Sequence, residues 1–114
     1  MKIGLKRVYD APEEGDGCRV LIDRVWPLGL SKKTARVDYW LKGIAPSTTL
    51  RKWFAHDPEK WGTFKKHYFN ELRNNPEAVE LMRGLVKQGK VMLVYGAKEE
   101  RYNNAVALIQ YLKR

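Results

Sequence analysis

Apolar positions in this chain come in two rhythms. Short runs or alternations mark strands: Ile3, Leu5, Val8 and Tyr9 within residues 3–9, Val20-Leu21-Ile22 within 19–25, and Val91-Met92-Leu93-Val94-Tyr95. Longer stretches repeat their apolar residues every three or four positions, as one face of a helix does. Ser31 is placed to cap a helix over about 32–42, ending at Gly43. Ser47 caps a second through Ala55, with Leu50, Trp53 and Phe54 on one side. Asp57-Pro58 starts a third, carrying Trp61, Phe64, Tyr68 and Leu72 on one stripe.

Asn75-Pro76 repeats the cap-and-proline signal. The helix after it sets Val79, Met82 and Val86 in a row, with Leu81 and Leu85 beside them, and stops at Gly89. The last helix is predicted from about Glu99 to Leu112. It would bury Tyr102, Val106, Ile109 and Leu112, with Glu99 and Glu100 at its positive end. Asp10–Gly17 reads as an acidic, turn-rich loop. Continuous apolar strands separated by helices predict a mainly parallel sheet. The expected fold is one α/β domain over residues 1–114, about three strands packed with about five helices.

Composition narrows this picture. With 44% apolar residues and thirteen large aromatics (4 Trp, 6 Tyr, 3 Phe), the chain has the material for a core. No apolar run approaches the length of a membrane span, and the charged start at Lys2, Lys6 and Arg7 does not read as a signal peptide. A cytoplasmic protein with no membrane partner is expected. A lone Cys18 excludes an internal disulfide, and with only two histidines the chain falls short of a closed zinc site, so neither metal nor cofactor is expected. Cys18 itself reads as a buried or incidental thiol, with no base near it in sequence.

The net charge is +9. Basic and acidic groups cancel in residues 1–30, whereas 31–75 carries ten basic against four acidic residues. That basic middle favours anionic partners, a phosphorylated or other small anion, or nucleic acid. The plain alternative is a soluble basic protein without such a partner.

Three constellations could carry chemistry. In the first, Arg7, Asp10, Asp23 and Arg24 each follow an apolar run. If the first two strands are parallel neighbours, these groups converge at the carboxyl edge, where open α/β sheets bind ligands. The arginines could clamp an anion and Asp23 could take a proton, or an Asp–Arg pair could simply tie strand to loop. The second is Arg51-Lys52-Trp53-Phe54-Ala55-His56-Asp57, basic and aromatic residues interleaved as on a nucleic-acid surface. Trp53 and Phe54 also have core spacing. His56, beside a capping Asp57, suits acid–base work or a structural role. The third is Tyr95-Gly96-Ala97-Lys98-Glu99 with Tyr102-Asn103-Asn104, a strand-to-helix turn where anions can bind. It lacks the glycines of a dinucleotide fingerprint. Trp26-Pro27 and Trp40 would cover the sheet or line a cleft.

These residues resemble a family. Arg19-Val20-Leu21-Ile22-Asp23-Arg24-Val25-Trp26-Pro27, Ala45-Pro46-Ser47, Leu50-Arg51-Lys52-Trp53-Phe54, His56-Asp57-Pro58, Trp61, Phe64, Tyr68 and Leu93-Val94-Tyr95-Gly96-Ala97 look like the YeaO-like proteins. These are small bacterial and archaeal proteins of the domain-of-unknown-function family 488. The resemblance spans nearly the whole chain and implies an α/β domain, with no activity to carry over. It points to Arg24, Trp26, Arg51, His56, Asp57 and Tyr95 as a polar cleft, with no catalytic role assigned to any of them. Leu28 stands where such proteins usually have Arg. Tyr95 and Asn103-Asn104-Ala105 stand where the wider family often has Cys and a Cys-His-Arg cluster, so its thiol or metal chemistry is not transferred.

Three functions follow as expectations. The first is a protein binding a phosphorylated or other anionic small molecule at the strand ends. Arg7, Arg24 and Arg51 would hold the anion, and Asp23 or His56 would do acid–base work if the chemistry is hydrolase- or transferase-like. The second is a nucleic-acid-binding module built on 31–75. The third is a regulatory or partner-binding protein without chemistry.

Overall fold

The computed structural model describes residues 2–114. Four parallel strands form one sheet: β1 (Ile3–Arg7), β2 (Cys18–Leu21), β3 (Tyr39–Trp40) and β4 (Val91–Tyr95), in the order β1-β4-β2-β3. Helices α1 (Lys32–Ala35), α2 (Thr48–Phe54), α3 (Trp61–Arg73), α4 (Pro76–Gln88) and α5 (Asn104–Leu112) complete the α/β domain. β4 is apolar and buried at all five positions because it lies inside the sheet and is covered on both faces.

The sheet separates two apolar layers. Val20, Ile22, Val91, Leu93 and Tyr95 face the larger one, with Phe54, Phe64, Tyr68, Met82 and Leu108 from the helices. Leu21, Met92 and Val94 face the smaller, beneath Ala35, Trp26 and Trp40. The rings of Phe54 and Phe64 stack with centroids 4.1 Å apart. Tyr68 is fully buried, and its hydroxyl donates to the Ile44 carbonyl at 2.6 Å, as a buried phenol must find a partner.

The helix expected over 32–42 is a single turn. Arg36 adopts a left-handed conformation (φ 49°) and ends it. The chain then joins the sheet as the fourth strand. The Asp38 amide donates to the Arg19 carbonyl, and the Asp38 carboxylate accepts the Arg19 amide at 2.8 Å. β-branched and aromatic residues at Val37, Tyr39 and Trp40 suit that edge.

The last helix begins at Asn104, not Glu99. Asn103 caps it by accepting the Val106 amide at 3.0 Å, while the Glu99 carboxylate is used in the preceding turn, accepting the Arg101 amide at 2.8 Å. Its buried row is Ala105, Leu108 and Leu112 rather than Val106 and Ile109. In α4, Leu81 is exposed while Val79 and Met82 are buried. Asn75 does not cap α4; its amide group donates to the Gly43 carbonyl instead.

The acidic loop before β2 does structural work. Asp16 is buried and bridges two strands that are not neighbours: Lys6 of β1 at 2.9 Å and Arg19 of β2 at 2.8 Å. The Arg19 guanidinium also donates to the Ala35 carbonyl. Gly17 then turns the chain with φ 72°, where a side chain would be strained.

Candidate functional site

Parallel strands place all their carboxyl ends on one edge, and a cavity of about 220 Å³ opens there. Its lining comes from five segments: Asp23 to Val25 after β2, Ala45 and Pro46 before α2, Arg51, Phe54 and His56 on and after α2, Phe64 of α3, and Gly96 and Ala97 with Asn104 around the β4–α5 turn. Phe54 and Phe64 form the apolar floor.

Asp23 and Arg24 do not pair with each other; each fastens a different wall. Asp23 Oδ2 accepts the Gly96 amide at 2.7 Å, and Oδ1 accepts Asn104 Nδ2 at 3.0 Å. The Asp23 carbonyl takes the Trp40 indole N–H at 2.7 Å. Arg24 donates from Nη2 to the Ala45 carbonyl at 3.1 Å and from Nε to the Pro46 carbonyl at 3.4 Å. The charged pair after the strand therefore pins two loops and keeps the Arg24 charge beside the cavity.

α2 delivers the remaining cation-forming groups. Ser47 caps it by accepting the Leu50 amide, and Glu71 of α3 holds Ser47 through its amide (2.8 Å) and hydroxyl (2.7 Å). Ala55 and His56 both adopt left-handed backbone (φ 46° and 57°), which sharply reverses the chain and brings His56 to the cavity. Such a conformation in non-glycine residues costs on the order of 1–3 kcal/mol each and is found where the surroundings enforce it. The His56 ring meets Phe54 edge-on, 5.8 Å between centroids. Among the described residues, no ion pair involves Arg24, Arg51 or His56.

Of the eight residues singled out from the sequence, Asp23, Arg24, Arg51 and His56 line this cavity and four do not. Arg7 is separated from β2 by β4, so the expected convergence of the first two strands does not occur. Its Nε donates to the Ala97 carbonyl at 2.9 Å, steadying one wall from behind. Trp26 covers the opposite face of the sheet. It packs edge-on against Trp40 at 5.3 Å and donates to the Leu30 carbonyl. Asp57 caps the turn Pro58–Lys60 by accepting the Glu59 amide. Tyr95 belongs to the larger core layer, and burial pushes its phenol pKa up.

From the third constellation, Gly96, Ala97 and Asn104 also line the cavity, whereas Phe64 is a contributor that sequence reasoning placed only in the core. Ala45 and Pro46 entered the sequence reading only through the family resemblance. Cys18 opens β2 and so lies at the opposite edge of the sheet. Burial raises its thiol pKa, with Asp38 adding in the same direction. Among the described residues, no three His, Cys, Asp or Glu side chains gather as metal ligands. No helix among them is long and apolar enough to cross a membrane.

Residues 2–114 match a family model described as the inactive DUF488-N3 subclade. The chain is 38% identical over 113 residues to the uncharacterized protein YeaO of Escherichia coli (strain K12), covering 99% of this chain and 98% of that one. It is 37% identical over 111 residues to the uncharacterized protein Rv3073c of Mycobacterium tuberculosis (strain ATCC 25618 / H37Rv), covering 97% and 93%. No solved structure matches significantly.

Proposed function

This chain belongs to the DUF488 family, in the subclade described as inactive, and from that premise we propose that it binds a small anionic molecule, phosphorylated or otherwise, without transforming it. The supporting observation is that Arg24, Arg51 and His56, from separate segments, line one cavity at the carboxyl edge of the sheet.

Binding without turnover agrees with the side chains present. Asp23, the expected acid–base group, has both carboxylate oxygens occupied by donors that build the cavity wall. It acts as a positioning residue. None of the described lining residues is Ser, Thr or Cys, so no hydroxyl or thiol nucleophile faces the cavity. His56 is the remaining proton carrier, and a hydrolase- or transferase-like reaction would have to run through it. The family description and the occupied Asp23 both weigh against that version.

Thermal-shift screening against carboxylates, sugar phosphates and nucleotides tests the proposal. A ligand at about 100 times its Kd should stabilise the fold by about 2.7 kcal/mol. Arg51→Ala and His56→Ala should remove that gain. If no anion protects the wild-type protein, the proposal fails.

A second reading, nucleic-acid binding through 31–75, has one observation in its favour. Trp53 is 42% exposed, with the Lys60 ammonium 5.0 Å from its ring centroid. It predicts oligonucleotide binding that falls steeply with added salt and weakens in Trp53→Ala. Absent or salt-insensitive binding removes it.

A further inference from the structure

We infer that the ligand of this cavity is an organic monoanion: a carboxylate on a small apolar body. This rests on the anion-binding reading above and names its chemical class. Three observations lead there.

The first is charge balance. The Asp23 and Arg24 charges cancel in the lining, which leaves Arg51 as one unit of surplus positive charge. A phosphate monoester carries about −1.5 to −2 at pH 7. It would bring a second unit of negative charge into a small space already holding the Asp23 carboxylate. Like charges at close range resist being confined together. A carboxylate brings one charge, and its two oxygens match the planar donor fork of arginine.

The second is the floor. Stacked Phe54 and Phe64 close the base of the cavity and are themselves nearly shut off from water, while Val25, 57% exposed, and Ala97 present apolar surface to solvent at its sides. An inorganic anion would leave that surface wet. An organic body covers it and gains from removing apolar surface from water.

The third is size. At about 220 Å³ the cavity is smaller than the range of about 300–1,000 Å³ typical of larger ligands. A single ring with one acidic group suits it better than a nucleotide does.

Benzoate, benzamide, phenyl phosphate and inorganic phosphate serve as probes in parallel thermal-shift and NMR titrations. Benzoate should bind at least about tenfold more tightly than each of the others. Its shifts should cluster at Arg51, His56 and Ala97. Arg51→Gln, at an exposed position, should keep the fold and lose about tenfold in benzoate affinity. Stronger binding of phenyl phosphate or inorganic phosphate overturns this inference while leaving the anion-binding reading intact. Equal binding of benzamide and benzoate overturns both, because charge is then not recognised. Binding of none of the four, with no other anion protecting the fold, also overturns both. Benzoate shifts away from the cavity, or an unchanged affinity in Arg51→Gln, overturn the inference at this site.

Discussion

Asp23 at the end of β2 and Gly96 at the end of β4 are joined by a hydrogen bond of 2.7 Å, from the Gly96 amide to Asp23 Oδ2. The same carboxylate holds Asn104, the first residue of α5, at 3.0 Å. One side chain thereby sets the wall of the cavity from three elements. A Cβ at Gly96 would sit 3.3 Å from Asp23 Oδ2, a tight contact to which the carboxylate would have to yield by a few tenths of an ångström. Hydrogen bonds to a charged group contribute about 1.5–3 kcal/mol each. Asp23→Ala should destabilise the protein by about 3 kcal/mol, and Asp23→Asn by less, since it keeps one acceptor oxygen. Urea unfolding of the three proteins measures both.

Acid stability should depend on Asp16. Burial pushes its carboxyl upward, but hydrogen bonds from Lys6, the Glu13 backbone and Arg19 outweigh this and hold the pKa at about 2. The folded value lies below that of an unfolded aspartate, about 3.9. The stabilisation is therefore complete above pH about 4 and drains away as pH falls toward about 2. Denaturant midpoints across this window should drop for the wild type and drop less for Asp16→Asn. At neutral pH, Asp16→Ala should cost about 3 kcal/mol, because it strips the buried Arg19 of its counter-ion.

Tyr68→Phe removes the hydroxyl that satisfies the Ile44 carbonyl while leaving the ring in the core. An orphaned buried acceptor costs about 1–3 kcal/mol. The variant should fold with a lowered thermal midpoint and an unchanged far-UV circular dichroism spectrum.

Two nearby glycines should answer differently to alanine. At Gly17, φ is 72° and a Cβ would lie 2.6 Å from the Lys90 carbonyl oxygen, so Gly17→Ala should cost at least about 1–2 kcal/mol. At Gly15 nothing lies within 4 Å of a Cβ, and Gly15→Ala should stay within about 0.5 kcal/mol of wild type. Chemical denaturation of the pair measures the contrast.

The fold class was legible because it depends on local pattern. The run Val91–Tyr95 announces a strand covered on both faces, and the spacing of Phe64, Tyr68 and Leu72 announces the buried side of α3. Ser31 and Ser47 cap the helices expected of them, and Asp57 caps the short turn Pro58–Lys60 ahead of α3 rather than α3 itself, since a cap needs only the amides two or three residues ahead. β3 was not legible. Its pairing uses the Arg19 backbone and the Asp38 carboxylate, a partnership that exists only once β2 lies alongside. The start of α5 was misplaced because Glu99, a good first-turn residue, spends its carboxylate on a turn instead.

By itself the sequence determined an α/β domain, a charged pair ending an apolar strand, and a helix bearing Arg51 with His56 just beyond its end. All of these follow from residue type and near-neighbour spacing. Tertiary structure alone decided which of those groups meet. β4, arriving some seventy residues after β2, inserts between β1 and β2 and sends Arg7 behind the cavity wall rather than into it. Two consecutive left-handed residues without a glycine carry His56 to the cavity. Strand order and enforced backbone strain arise from packing between distant segments, and no local pattern encodes them.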